Sequence, residues 1–229
     1  MRPTVIAIAI LSCFVVYSNA QQRSPDATAA ERGAEAAPVA APELLAGQHW
    51  TYRRMDLWRN EETESFNQYL IAEVPGYWAV AWTILTSKDA QRLGSVTPER
   101  LFTAGHGFND IRMTGLHEPL RFPLVAGKSW EFRYTFSPKS GSTTNVTQTA
   151  TVRGWETVKV PAGSFRALRV DHVGNYATVE NSNQWSGRIR ETFWYAPSAR
   201  RVIMHEYQDT GGDGATFNKR RDELTNVLL

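Results

Sequence analysis

From Glu43 onward, apolar and polar positions alternate with a period of two. Trp130, Phe132, Tyr134 and Phe136 are interleaved with Ser129, Glu131, Arg133 and Thr135, which predicts a strand with one face buried and aromatic. Trp50 and Tyr52 repeat the pattern ahead of a polar turn near 59–62. Phe66 to Ala72 and Tyr77 to Thr86 read as the next strands, with the turn dipeptide Pro75-Gly76 between them. Further on, 147–160 is a β-rich run interrupted at Gly154. "VPAG" then turns the chain into "FRALRVDHV". Ile189, Glu191, Phe193 and Tyr195 alternate up to a break at Ala196-Pro197. Val202 to Gln208 and Phe217 to Leu228 flank "GGDG" (211–214), a hairpin signal. The spacing predicts about ten strands and an all-β class. The architecture expected is a single antiparallel domain, a curved sheet, half-barrel or β-sandwich. One short helix is expected at Thr97 to Phe102, with Thr97 as N-cap and Pro98 in the first turn. The stretch from Ser87 to Leu116 is the least patterned and is read as loops.

One opening is written twice. "LLAGQHWTYR" from Leu44 and "LVAGKSWEFR" from Leu124 share Ala-Gly, then Trp, an aromatic and Arg at matching places, 80 residues apart. That interval is too long for a solenoid period. It predicts two related β-meanders, joined in one sheet or facing each other.

The N-terminus follows another rule. Arg2 precedes a thirteen-residue apolar run from Val5 to Tyr17, and Ser18-Asn19-Ala20 then offers small residues for cleavage after Ala20. Residues 1–20 are therefore read as an export signal, too short for a bilayer core of about 30 Å, and the mature chain as having no transmembrane segment. Cys13 lies inside the apolar run, so the mature chain carries no cysteine and no disulfide. Residues 21–42, rich in Ala and Pro, read as a disordered spacer before a domain at 43–229. With 25 Lys and Arg against 23 Asp and Glu, no strong charge steers the protein to nucleic acid.

Three segments carry a family likeness: "PLVAGKSWEF", "VRGWETVKVPAGSFRALRV" and "ETFWYAPSARRVI". In that order they resemble the exported bacterial proteins grouped around TapB and domain-of-unknown-function family 3108. Gly154, Glu156, Val158, Val160, Pro161, Ala162, Gly163 and Phe165 match together. The chain departs from the pattern after "WYAP", where Ser198-Ala199-Arg200-Arg201 stands in place of the usual Gly. The resemblance covers the C-terminal half. It implies a periplasmic antiparallel β protein, with a curved sheet like that of LolA-type lipoprotein carriers, and no known catalytic residues, the family itself being poorly characterised.

Sites of known chemistry are mostly excluded. "HEYQD" (205–209) misses the zinc motif H-E-x-x-H and falls on a strand, where four residues span about 13 Å and cannot share a metal. In "HEPLR" (117–121) Pro119 breaks the helix such a motif needs. His49, His106 and His172 are scattered, and no metal site or cofactor is expected. No nucleophile elbow is present, and Ser164 lies in a turn. The loop "AGHGFND" (104–110) is the most site-like, although Gly, Asn and Asp are ordinary turn residues. Arg53-Arg54, Arg200-Arg201 and Lys219-Arg220-Arg221 sit among acidic residues and read as solvated faces or cross-strand pairs. The aromatic face is the richer clue. Trp50, Tyr52, Trp130, Phe132 and Tyr134 could line a pocket for an apolar or lipid ligand, or they could fill a core. The expectation is a non-enzymatic, exported cell-envelope protein, periplasmic in a Gram-negative cell, that binds an apolar ligand. The alternative is a module that binds an envelope protein and has a filled core.

Overall fold

The computed structural model describes residues 37–74, 77–84, 91–97, 100–103, 111–115, 117–138 and 141–229. The expected signal peptide with Cys13, the spacer up to residue 36, Pro75-Gly76 and the 104–110 loop with His106 lie outside the described residues.

The fold is a single antiparallel sheet of twelve strands. In chain order they are β1 (His49–Asp56), β2 (Glu61–Val74), β3 (Tyr77–Ile84), β4 (Gln91–Thr97), β5 (Arg100–Thr103), β6 (Ile111–Gly115), β7 (Ser129–Pro138), β8 (Thr143–Val160), β9 (Gly163–Glu180), β10 (Asn183–Ala196), β11 (Arg201–Gly211) and β12 (Thr216–Leu228). Across the sheet the order is β5-β4-β3-β2-β1-β12-β11-β10-β9-β8-β7-β6. The chain starts in the middle, runs out to one edge, passes to the other edge, and returns to pair β12 with β1.

That topology requires curvature. Twelve strands laid flat would hold the outer strands roughly 50 Å apart, at about 4.8 Å per neighbour. Thr103 and Ile111 are joined by only eight Cα steps, a reach of at most about 29 Å. The sheet therefore curls until its edges approach, although β5 and β6 remain unpaired and the sheet stays open. The tip of the long β8–β9 hairpin bends the same way: Ala162 donates its backbone N–H to the carbonyl of Leu224 on β12 (3.0 Å), four strands along.

Alternation sets the two faces. On β8 the residues from Thr143 to Val152 alternate between buried and less buried positions, threonines mostly outward and Val146, Gln148, Ala150 and Val152 inward. Gly154, read as a break, instead marks a register shift within a strand that continues to Val160. Such a bulge bends a strand without ending it. Two other expectations are corrected. The short helix at 97–102 is absent: Thr97 ends β4 and pairs with Arg100 of β5. The stretch read as loops holds β4, β5 and β6, where edge positions and few large apolar residues had left no clear period. Among the described residues the one helix is a 3-10 turn at Pro197–Ala199.

The repeated opening is real in structure. Gly47 and Gly127 both adopt positive φ (88° and 85°), conformations open to glycine. Gly47 donates to Leu70 and Gly127 to Val152, both at 2.9 Å, and each turn is closed by Gln48 N–H to Leu45 or Lys128 N–H to Val125. Leu44 and Leu124 are buried before the turn, Trp50 and Trp130 after it. The two meanders share one continuous sheet. Ordered chain also begins before Glu43: Val39 bridges to Leu124 and packs on the core.

Candidate functional site

The aromatic residues singled out in the sequence all face the concave side, but they separate into two settings. Trp50, Tyr52, Trp130 and Phe132 are each no more than 5% exposed and belong to one core cluster. The Trp50 indole donates to Ala199 O (2.7 Å) and the Trp130 indole to Glu118 O (3.0 Å). Tyr52 stacks on Phe66 and donates its hydroxyl to Val202 O (2.7 Å). Arg201 is buried beside them, its guanidinium 4.8 Å from the Trp50 ring and bonded to Gln68. The stretch 117–124 lies over this end of the face, with Leu120 and Leu124 fully buried and Arg121 held to Glu118. Tyr134 differs: it is half-buried, beyond the segment's end, and its ring meets His117 at 5.0 Å.

Beyond Phe132 the concave face becomes polar. Register places Arg220, Tyr207, Glu191, His172, Ala150 and Trp130 in one cross-strand row over β12 to β7. The adjacent row holds Glu64, Arg54, Asp222, His205 and Phe193. Side chains link the rows into a ladder. Arg54 binds Glu64 (2.6 Å) and Asp222 (2.7 and 3.0 Å). Asp222 lies 3.8 Å from His205 Nδ1, an ion-pair distance too long for a hydrogen bond. His205 Nε2 meets Glu191 at 2.8 Å, and Gln148 donates to the other Glu191 oxygen at 2.7 Å. His117 stands 4.0 Å from that oxygen. Gln148 crosses Gly174 closely: a Cβ there would come within 2.6 Å of its Cγ.

Electrostatics fix the charge states. Burial pushes the Glu191 carboxyl up, but its bond to His205 and the His205 charge outweigh that and hold it well below the usual carboxylate range. Asp222 is likewise pushed up by burial and held down by His205 and Arg54. Burial pushes His205 down, yet Asp222 and Glu191 raise it above an ordinary histidine. His117 is lowered by burial, and His172 is lowered by burial to about 4. These shifts favour the imidazolium form of His205 between the two carboxylates and the neutral form of His117 and His172 beside it. Burial raises both phenols, Tyr134 and Tyr207, so neither ionises. Three buried polar atoms beside Glu191 make no hydrogen bond: Gln148 Oε1, His172 Nδ1 and His117 Nε2. No group of three His, Cys, Asp or Glu among the described residues has metal-binding geometry.

The sequence reading missed this convergence. The sequence alone places His205 on an exposed strand, whereas it is mostly buried and paired with Glu191. His172 was read as scattered, whereas register sets it opposite Glu191. The available signal was an inward-facing charge: Glu191 occupies a core position in the alternation Ile189, Glu191, Phe193. The paired basic residues were read correctly for Arg53, Arg54 and Arg221, which bind Glu223, Asp222 and Glu206. Arg200 carries a left-handed φ of 53° after the 3-10 turn, the conformation for which glycine is the default residue.

Large apolar side chains are also exposed at the same end. Trp58, Trp185 and Phe217 are 62, 44 and 59% exposed. They lie at or beside the β1–β2, β9–β10 and β11–β12 turns, hairpins that are neighbours in the sheet.

The fold is one already seen in crystal structures. This chain is similar to a candidate exported protein with YmcC-like fold from Bacteroides fragilis, at a TM-score of 0.55 and 15% identity over 84% of this chain and 100% of the other. It is similar to a candidate lipoprotein from Parabacteroides distasonis at 0.53 and 11% identity, covering 83% and 99%. The hypothetical lipoprotein YmcC of Escherichia coli aligns at 0.39 and 16%, covering 80% and 89%, and carries no argument. At these identities the likeness shows the fold alone, which is YmcC-like. No protein-family model matches the sequence, the resemblance to family 3108 included, and no curated protein matches it.

Proposed function

We propose that this is an exported, non-catalytic protein of the cell envelope that binds an apolar or lipid ligand on the concave face, beyond Phe132. The observation that carries the reading is the change of setting along that face. Trp50, Tyr52, Trp130 and Phe132 pack against the chain's own segments, while Tyr134, Phe136, Tyr176 and Tyr207 are half-buried. Half-covered aromatics facing inward from a curved sheet make a wall that an apolar chain can cover. Export is supported by the signal-like N-terminus and by the description of the similar solved structures as exported proteins and lipoproteins.

The test is native mass spectrometry of the mature chain, purified without detergent, followed by solvent extraction. A stoichiometric amphiphile would support the reading. An apo mass that stays unchanged after incubation with envelope lipids would sink it.

A second reading, an interaction or assembly module for an envelope protein, is favoured by Trp58, Trp185 and Phe217 on neighbouring turns. Proximity crosslinking from these turns in intact envelopes would yield a partner that Trp58→Ser and Phe217→Ser variants lose.

A further inference from the structure

Among the described residues Arg220 is a guanidinium without a counter-ion. It sits on β12, inward-facing and half-buried, two residues from Asp222 on the same face. Among the described residues its partner is an aromatic ring: the guanidinium carbon lies 4.3 Å from the centroid of Tyr207, its cross-strand neighbour. Its Nε is buried without a hydrogen bond. Among the described residues no carboxylate comes within ion-pair distance of it.

The nearby acids are all engaged elsewhere. Asp56, opposite Arg220 across β1, binds Arg59 and the backbone N–H groups of Trp58 and Arg59. Asp209 accepts from Tyr207 and Asn218. Asp222 is held by Arg54, and Glu191 by His205 and Gln148. Arg220 thus contrasts with Arg53, Arg54 and Arg221 on β1 and β12, which all bind carboxylates.

A guanidinium partly removed from water retains a rigid fork of donors that matches a carboxylate or phosphate. Stacking on Tyr207 fixes its plane without occupying that fork. Tyr207, on which Arg220 stacks, and Tyr134 face the same concave side and are both half-buried, so the free donors adjoin the aromatic wall at Tyr207. We infer that Arg220 receives the anionic group, carboxylate or phosphate, of an amphiphile whose apolar chain lies along Tyr207 and Tyr134. This rests on the binding reading above and names the ligand class for it.

The test titrates the mature protein, by calorimetry at constant pH, with dodecanoate, dodecyl phosphate and the uncharged dodecanol, and with acetate and inorganic phosphate alone. Wild type is expected to bind at least one anionic amphiphile about tenfold or more tighter than dodecanol, since a charge-assisted hydrogen bond supplies that difference. Arg220→Met keeps the stem against Tyr207 and is expected to bind dodecanol as wild type does while losing the preference. Arg220→Lys is expected to retain part of it. Thermal melts of each variant separate misfolding from lost recognition. Equal affinity of wild type for the acids and the alcohol, or an unchanged preference in Arg220→Met, would overturn the role of Arg220 and leave apolar binding standing. Binding of none of the amphiphiles would overturn both. Binding of acetate or phosphate alone, abolished in Arg220→Met, would support the anion site while denying the apolar one.

Discussion

The two ends of the concave face are built from the same strands and the same aromatic alternation, yet they end differently. At one, Trp50 and Trp130 are closed over by residues 39–45 and 117–124, their indoles bonded to backbone carbonyls. At the other, Tyr134 and Tyr207 are half-buried over an ionised ladder, and Arg220 keeps its donors free. The closed end has every feature of a core. The other places charge where a core would be apolar, which costs stability and is expected where binding is the purpose.

Substitutions should separate the ends by size of effect. Trp50→Ala removes a fully buried ring and its hydrogen bond, and is expected to cost about 3–5 kcal/mol in urea denaturation. Leu124→Ala should cost about 2–5 kcal/mol. If either proves near neutral, the closed end is not the core. Glu191→Gln preserves shape but leaves the buried His205 charge facing Asp222 alone. A loss of about 3 kcal/mol is expected, partly recovered when His205 is also replaced by Gln.

The ladder also predicts a pH profile. His205 is raised in the folded state, so its contribution is fully present below its ordinary value near 6.5 and is lost as pH rises through the folded value. His172 and His117 are lowered, so their contribution is present above 6.5 and is lost as pH falls, for His172 towards about 4. Glu191 and Asp222 are held low, and theirs is lost only on further acidification below the ordinary carboxylate range. Stability measured against pH should therefore peak near 6.5 and fall on both sides. His172→Gln should flatten the limb between about 6 and 4; an unchanged limb would remove His172 from the account.

Smaller effects test the repeat. Gly47→Ala and Gly127→Ala meet no neighbour within 4 Å, so strain at positive φ is the whole penalty. Each should cost about 1–2 kcal/mol, and equally. Unequal costs would mean the two openings do not bear the same load. Smallest of all, Tyr134→Ala is expected to cost about 1 kcal/mol or less while weakening ligand binding, the reverse of Trp50→Ala.

Much of the fold was legible in the sequence because alternation is a local property. Trp130 to Phe136, Trp50 with Tyr52, the "GGDG" turn and the "VPAG" hairpin each announce themselves within a few residues. The strands β4 to β6 did not: they are short, β5 and β6 are the sheet's edges with β4 beside one of them, and their alternation is weak. The site was least legible. Glu191, His172 and His205 lie on three strands and meet through register, and His117 joins them from a connecting segment. Arg220 reads as one more surface charge until the partners of its neighbours are assigned.

The most direct test of the contrast between the ends is a two-dimensional NMR titration of the isotope-labelled mature protein with dodecanoate. Shift changes confined to Tyr134, Tyr207, Arg220 and their strand neighbours, with the Trp50 and Trp130 indole signals still, are the predicted result. Changes centred on the Trp50 and Trp130 indoles, or on Trp58, Trp185 and Phe217 alone, would contradict it.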